Sequence, residues 1–124
     1  MKRLLPALAI CAFVAGCAAA IDAPPNASDA EIVAKAYREP GPATLTVMTM
    51  VNNRSGSGAH TALLINASQR VIFDPAGSFV NDRVPERNDV LYGVSPAVLA
   101  GYRSAHARAT FHIVSQTFTV TPEQ

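Results

Sequence analysis

The sequence predicts an α+β domain in which two helices accompany a small antiparallel sheet of about four strands. Four segments are rich in the side chains that suit a pleated, half-buried surface, namely residues 43–51, 59–65, 70–74 and 110–121. A short turn separates the second segment from the third, which predicts an antiparallel hairpin. Ser28 and Ser95 each stand at a helix start. Helices and strands therefore occupy different stretches of one chain.

Residues 1–16 have the pattern of a secretory signal peptide. Lys2 and Arg3 supply a positive start, residues 4–14 form a short apolar run, and small residues close the segment. The run is too short to span a bilayer permanently, so a transmembrane helix is disfavoured.

Residues 14–17, with the letters VAGC, resemble the lipobox of bacterial lipoproteins. This resemblance implies that Cys17 is lipidated on sulfur and becomes the new N-terminus after cleavage. Palmitate-type acyl chains then hold the protein in a membrane, because each buried methylene contributes roughly 0.8 kcal/mol. Ala18, rather than Asp, implies the periplasmic face of the outer membrane. The alternative is ordinary cleavage at Gly16 or Ala20, with Cys17 incidental.

Processing leaves residues 17–124, which suffice for one modest domain. Residues 17–27 are small and contain prolines, so they are interpreted as a lipidated N-terminus and tether, and residues 28–124 as the single α+β domain. The full chain has a net charge of +1, and loss of the basic leader leaves it close to neutral. This net charge gives no indication of a nucleic-acid-binding surface.

The cysteines restrict the chemistry. Cys11 leaves with the leader and Cys17 is blocked by lipid, so the mature chain has no free thiol. It can form no internal disulfide and, as given, has no cysteine nucleophile.

The first half of the domain is predicted as a helix followed by three strands. Ser28 and Glu31 have the spacing of a capping box, and a helix to about Tyr37 follows. Prolines and a glycine break it before the first strand, and a flexible loop at 52–58 leads to the second. Asp74, before a proline, ends the third strand.

The second half begins with a polar loop at residues 77–87. Ser95 before a proline predicts a helix to about residue 107, which carries an apolar stripe. In the last strand, 110–121, apolar residues change parity, which predicts a bulge. Residues 121–123, TPE, are typical of a further helix start, so we expect a longer parent protein.

Residues 58–65, GAHTALLI, and 70–79, RVIFDPAGSF, resemble the histidine hairpin of circularly permuted NlpC-type papain-like hydrolases. Relatives of lecithin retinol acyltransferase belong to this family. The resemblance covers residues 43–79 and implies an incomplete permuted papain-like domain. It also implies that His60 is a general base, that Asp74 orients it, and that a cysteine further along is the nucleophile. Amide or ester bonds in peptidoglycan peptides or lipids would be the substrates.

Two hairpin registers are open. A three-residue loop at 66–68 places His60 opposite Asp74 on one face of the sheet. A two-residue loop at 67–68 places Thr61 opposite Asp74 instead, and His60 then lies on the other face, because side chains alternate along a strand. Only the first register allows the two side chains to meet. Without that contact, His60 is a polar strand-end residue and Asp74 initiates a turn.

Other polar residues give weaker indications. Ser78 lacks the second glycine of a nucleophile elbow. His106 and His112 do not share a metal-ligand spacing with His60 and have no neighbouring carboxylate, so no metal site and no cofactor are predicted. A solvated surface is the interpretation for four arginines, Arg83, Arg87, Arg103 and Arg108.

The sequence therefore predicts a cell-envelope lipoprotein with an incomplete or inactive papain-like domain of the amidase or acyltransferase type. Its predicted partners are the membrane, through the lipid anchor, and a peptidoglycan or lipid substrate. The alternative is a non-enzymatic binding or structural lipoprotein, which the missing thiol favours. The small core predicts marginal stability, and if strands and a helix are missing after residue 124, the strand edges left exposed predict association.

Overall fold

The computed structural model describes residues 26–121. Its helices are α1 (Asp29–Lys35) and α2 (Pro96–His106). Its strands are β1 (Thr44–Asn52), β2 (Gly58–Asn66), β3 (Arg70–Phe73), β4 (Glu86–Arg87), β5 (Val90–Leu91) and β6 (Phe111–Thr119). The predicted α+β class is confirmed, but the sheet has six strands rather than about four. The predicted signal peptide, the predicted lipidation site at Cys17, most of the predicted tether and the helix expected after residue 121 lie outside the described residues.

The sheet has the order β4-β5-β3-β2-β1-β6, and every neighbouring pair is antiparallel. The bulge predicted in the last strand is wrong, because β6 pairs with β1 in one unbroken register from Phe111 to Thr119. The change of parity has another cause. Ile113 and Val114 point to opposite faces of the sheet, so the strand simply carries apolar side chains on both faces.

The two shortest strands lie within and just after the segment that was predicted to be a polar loop. Arg87 of β4 pairs with Val90 of β5, and Asn88 and Asp89 between them have φ angles of 52° and 62°. Positive φ at both central residues defines a type I′ turn, which Asn and Asp tolerate better than most residues. Strands of two residues show no alternation, so periodicity could not predict them.

The core lies between α2 and one face of the sheet. Met48, Ala62 and Ile72 are fully buried on three adjacent strands, and Leu99 and Tyr102 of α2 pack against this face. Both helix starts are as predicted: Ser28 and Glu31 form the complete capping box of α1, and the Ser95 hydroxyl accepts from Val98 N at the start of α2. Helix α1 ends at Lys35 rather than at about Tyr37.

The opposite face of the sheet is also apolar, and we call it the open face. Its side chains are half-buried or exposed, and they come from four strands: Leu45, Val47, Leu63, Ile65, Val71, Phe73, Val114 and Phe118. An antiparallel sheet usually has one apolar and one polar face. Among residues 26–121, no helix has the length and apolar character needed to cross a membrane.

Candidate functional site

His60 lies where β2 departs from regular pairing. Met50 pairs with His60, whereas the next residue, Val51, pairs with Gly58, so Ala59 is an extra residue in β2. A bulge of this kind bends a strand and changes the direction of nearby side chains, and bulges are common next to active sites. The sequence placed the bulge in the wrong strand. The structure places it beside the candidate base.

The hairpin that joins β2 to β3 adopts neither of the two registers considered from the sequence. Asn66 pairs with Arg70 and Leu63 with Phe73, so the loop consists of residues 67–69. This register differs by two residues from the one in which His60 faces Asp74 directly. A shift of two residues preserves the face, since side chains alternate with a period of two. His60 and Asp74 therefore share the α2 side of the sheet and meet diagonally.

The histidine and the carboxylate form a close pair. His60 Nε2 lies 2.5 Å from Asp74 Oδ1, and the side chains are 25% and 5% exposed, respectively. The Tyr102 hydroxyl donates to the same Oδ1 at 2.9 Å. A carboxylate accepts hydrogen bonds, so a neutral His60 in this contact carries its proton on Nε2. Nδ1 then holds the lone pair that can accept a proton.

Tyr102 is a donor in this network by virtue of its surroundings. Its side chain is fully buried. Burial raises the pKa of the Tyr102 phenol strongly, and the Asp74 carboxylate raises that pKa further. The phenol therefore stays protonated and can hold the buried carboxylate in place. Tyr102 lies in the helix for which the sequence predicted an apolar stripe, and the sequence gave no signal for its bond to Asp74.

The turn after β3 keeps the Asp74 side chain available for this pair. Gly77 N donates to the Asp74 carbonyl at 2.9 Å, so the backbone closes the turn. A Cβ atom at Gly77 would overlap the Asp74 carboxylate. The turn thus uses the main chain of Asp74, while the side chain is free to contact His60 and Tyr102.

A second histidine joins the pair from the last turn of α2. His106 Nδ1 lies 2.9 Å from the Tyr102 carbonyl oxygen, and its ring centroid lies 6.0 Å from that of His60. One potential ligand atom from each of His60, Asp74 and His106 lies within 4.8 Å of the others. In the sequence neither His106 nor His112 has a neighbouring carboxylate, whereas the fold brings Asp74 to His106. His112 is exposed and contacts Asn53.

A cavity of about 170 Å³ adjoins this cluster. His60, His106, Ser78 and Arg108 supply its polar lining, and four apolar side chains complete it, Met50, Ala59, Ala105 and Phe111. A larger cavity of about 450 Å³ lies elsewhere, between α1 and residues 80–86. We place the candidate site in the smaller cavity, because the larger one lacks the paired histidine and buried carboxylate.

Several serines and arginines outside the cluster of His60, Asp74 and His106 are exposed or have structural contacts. Ser55 and Ser57 are exposed in the loop between β1 and β2. Arg87 pairs with Asp29 at 2.7 Å. Arg108 donates through Nε to the Ala105 carbonyl. Only Ser78 and Arg108 of this group line the candidate cavity.

Comparison with known proteins bears on the resemblance of the hairpin to papain-like hydrolases. No protein-family model, curated protein or solved structure matches this chain. The relationship to NlpC-type hydrolases therefore stays a prediction from residues 43–79. The geometry of the His60 and Asp74 pair stands independently of it.

Proposed function

We propose that this chain is a cell-envelope lipoprotein, anchored through Cys17, whose domain carries the histidine and carboxylate of a papain-like amidase or acyltransferase site. The observation that supports the proposal is the contact between His60 Nε2 and the buried Asp74 Oδ1. In such sites a base activates a nucleophile, and a third group fixes the tautomer and orientation of the base. His60 is the base in this proposal and Asp74 is the residue that orients it.

The nucleophile is the part that this chain does not supply. The sequence contains no cysteine after Cys17. Cysteine-dependent acyl transfer needs a thiolate, so the site is incomplete or inactive in this chain. If a longer parent carries the cysteine, its sulfur has to approach His60 Nδ1, since Nε2 is engaged by Asp74. The bonds to be cleaved or transferred are amides or esters of peptidoglycan peptides or lipids.

A second candidate function is a non-enzymatic binding or structural module in the envelope. The same missing thiol favours it. In this alternative, the cluster of His60, Asp74 and His106 holds a ligand rather than activating a nucleophile. The two candidates differ in one measurable property, which is whether His60 increases the reactivity of a thiol in the adjoining cavity.

A thiol introduced at Ser78 tests that property, because Ser78 and His60 line the same cavity. We expect iodoacetamide to alkylate the Ser78→Cys variant at neutral pH about tenfold faster than a Ser57→Cys variant. An ordinary thiol is only a few per cent thiolate at that pH, whereas a histidine-paired thiol is largely ionised. Peptide mass spectrometry assigns the modified site, so that Cys17 does not contribute.

His60→Gln in the Ser78→Cys background is the decisive control. The proposal requires the alkylation rate to fall to that of the Ser57→Cys thiol in the exposed loop. Equal rates in all three variants would mean that His60 does not act as a base in this cavity. The binding alternative would then be the better account of the site.

The anchor is tested separately by the intact mass of the protein extracted from membranes of its native host. The proposal requires a chain that begins at Cys17 and carries a diacylglyceryl group, with or without further N-acylation. An unmodified chain that begins elsewhere contradicts it. The same spectrum reports the C-terminus, and a substantially heavier chain would show where to search for the cysteine.

A further inference from the structure

The three side chains at the candidate site form a set of metal-ligating groups. His60 comes from the end of β2, Asp74 from the turn after β3, and His106 from the last turn of α2. One potential ligand atom from each lies within 4.8 Å of the others. We propose that His60, Asp74 and His106 bind one divalent transition-metal ion of the Zn²⁺ class.

The donor set matches this class of ion. Two imidazole nitrogens and one carboxylate oxygen suit Zn²⁺ and its neighbours, whereas Mg²⁺ and Ca²⁺ prefer oxygen ligands alone. Three protein ligands leave one tetrahedral position for water or a small ligand. The adjoining cavity of about 170 Å³ offers space for that fourth group.

Modest side-chain movements complete the coordination geometry. Bonds of 2.0–2.2 Å to a tetrahedral ion place neighbouring ligand atoms about 3.3 Å apart. His60 Nε2 and Asp74 Oδ1, at 2.5 Å, have to separate slightly, while the widest pair, at up to 4.8 Å, has to close. Both histidine side chains are partly exposed and can rotate. The His60 proton moves from Nε2 to Nδ1 through solvent as the metal binds Nε2, so the ring stays neutral and offers its Nε2 lone pair to the ion.

Groups around the ligands already hold two of them in a suitable form. The contact of His106 Nδ1 with the Tyr102 carbonyl requires a proton on Nδ1, which leaves the Nε2 lone pair for a metal. The Tyr102 hydroxyl donates to Asp74 Oδ1 and fixes the carboxylate. Tyr102 therefore supports two of the three ligands, one through its main chain and one through its side chain.

Metal binding excludes base catalysis by His60, because a neutral ring that coordinates the ion through Nε2 carries its proton on Nδ1 and has no lone pair left to accept another. The inference goes beyond the proposed function and does not rest on it. A metal ion would switch off the base in an enzymatic parent, and it would be the bound ligand itself in a non-enzymatic lipoprotein.

The test is a titration of the full chain, purified in detergent without a polyhistidine tag, with Co²⁺ as a spectroscopic probe and Zn²⁺ as competitor. We expect one Co²⁺ per chain, a visible absorption band typical of tetrahedral coordination, and displacement by Zn²⁺. His106→Gln should weaken binding by at least about tenfold, since loss of a supporting group alone costs 10–100-fold. His112→Gln, which removes an exposed histidine outside the cluster, should leave binding unchanged.

Two results would overturn the metal site. One is the absence of the absorption band when the chain without substitutions is titrated with Co²⁺. The other is equal binding in the His106→Gln and His112→Gln variants, which would assign the ion to surface histidines. Neither result affects the alkylation test of His60, which is carried out with a chelator present, so the two proposals fail separately.

Discussion

At the residue scale, Asp74 illustrates how one position serves both the turn and the site. Its carbonyl oxygen accepts a hydrogen bond from Gly77 N, and its side chain contacts His60 and Tyr102. The dipeptide Asp-Pro by itself favoured a simple turn. The structure shows that the turn needs only the backbone of Asp74, which leaves the carboxylate for the pair with His60.

Gly77→Ala is expected to break this arrangement. The added Cβ would overlap the Asp74 carboxylate, which has to move away from His60. We expect a loss of 1–3 kcal/mol in the free energy of unfolding, about the cost of a buried group that loses its hydrogen bonds. Urea unfolding measures this change.

Gly101→Ala is the matched control for Gly77→Ala, because a Cβ at Gly101 meets no atom within 4 Å. Alanine is favoured over glycine in a helix by about 1 kcal/mol, so this variant should be more stable than the parent. If both variants have the same effect on stability, steric conflict with Asp74 is not the cause.

The sequence named two members of the site but could not assemble it. His60 and Asp74 followed from the hairpin motif, and their shared face depended on a register that the loop residues did not determine. The observed loop at residues 67–69 was not among the two considered. Tyr102 and His106 lie far along the chain from His60, and no local pattern reports a contact over such a separation.

At the element scale, helix α2 brings Tyr102 and His106 to the sheet, so its start affects the site. Ser95→Ala removes the hydroxyl that accepts from Val98 N. We expect a loss of about 1 kcal/mol in stability, as for other N-cap serines. Thermal unfolding measures it, with Ser104→Ala, a substitution at an exposed serine in the last turn of α2, as control. Equal effects of the two substitutions would contradict a capping role for Ser95.

The pKa of Glu86 in β4 is raised, first by burial and then by the charges of Asp89 and Asp74. A carboxyl group with a raised folded pKa binds its proton more tightly in the folded state. Stability therefore falls as the pH rises from the unfolded pKa through the folded one. At pH values above that range, the charged Glu86 side chain lowers the free energy of unfolding.

Glu86→Gln should consequently raise the unfolding temperature at neutral pH. The gain should shrink as the pH falls below the ordinary range of a glutamate, because the parent side chain is then protonated as well. Calorimetry at neutral and acidic pH measures both effects. A gain of the same size at both pH values would indicate better packing rather than relief of charge.

The helices and the long strands were predictable from the sequence, whereas the strands of two residues were not. The helix starts at Ser28 and Ser95 have side-chain signals that act locally, and the long strands show β-rich composition. Strands β4 and β5 have two residues each, so only the Asn88 and Asp89 turn could have indicated them.

At the scale of the whole molecule, the sheet has an apolar open face in addition to its core face. Val114 and Phe118 on the edge strand β6 are 43% and 52% exposed. An unpaired, apolar edge strand tends to pair with other chains. We therefore expect the domain to associate as its concentration rises.

Replacing Val114 and Phe118 together by lysine should reduce this association, because charges on an edge strand oppose pairing. Sedimentation velocity over a range of concentrations measures it. Val33→Lys is the control, since Val33 is exposed on α1, away from the sheet. Association that is unchanged in the double variant, or is lost equally in the control, would contradict a role for the open face.

We expect Asp74 to hold His60 with its proton on Nε2 and its lone pair on Nδ1. Long-range nitrogen–proton NMR correlations of the imidazole rings, recorded in mildly alkaline, metal-free buffer, report the tautomers of both histidines. We expect the Nε2–H tautomer for His60 and the opposite tautomer, Nδ1–H, for His106. A His60 ring that is protonated on Nδ1, or that exchanges between the two tautomers, would mean that Asp74 does not hold the base in this form.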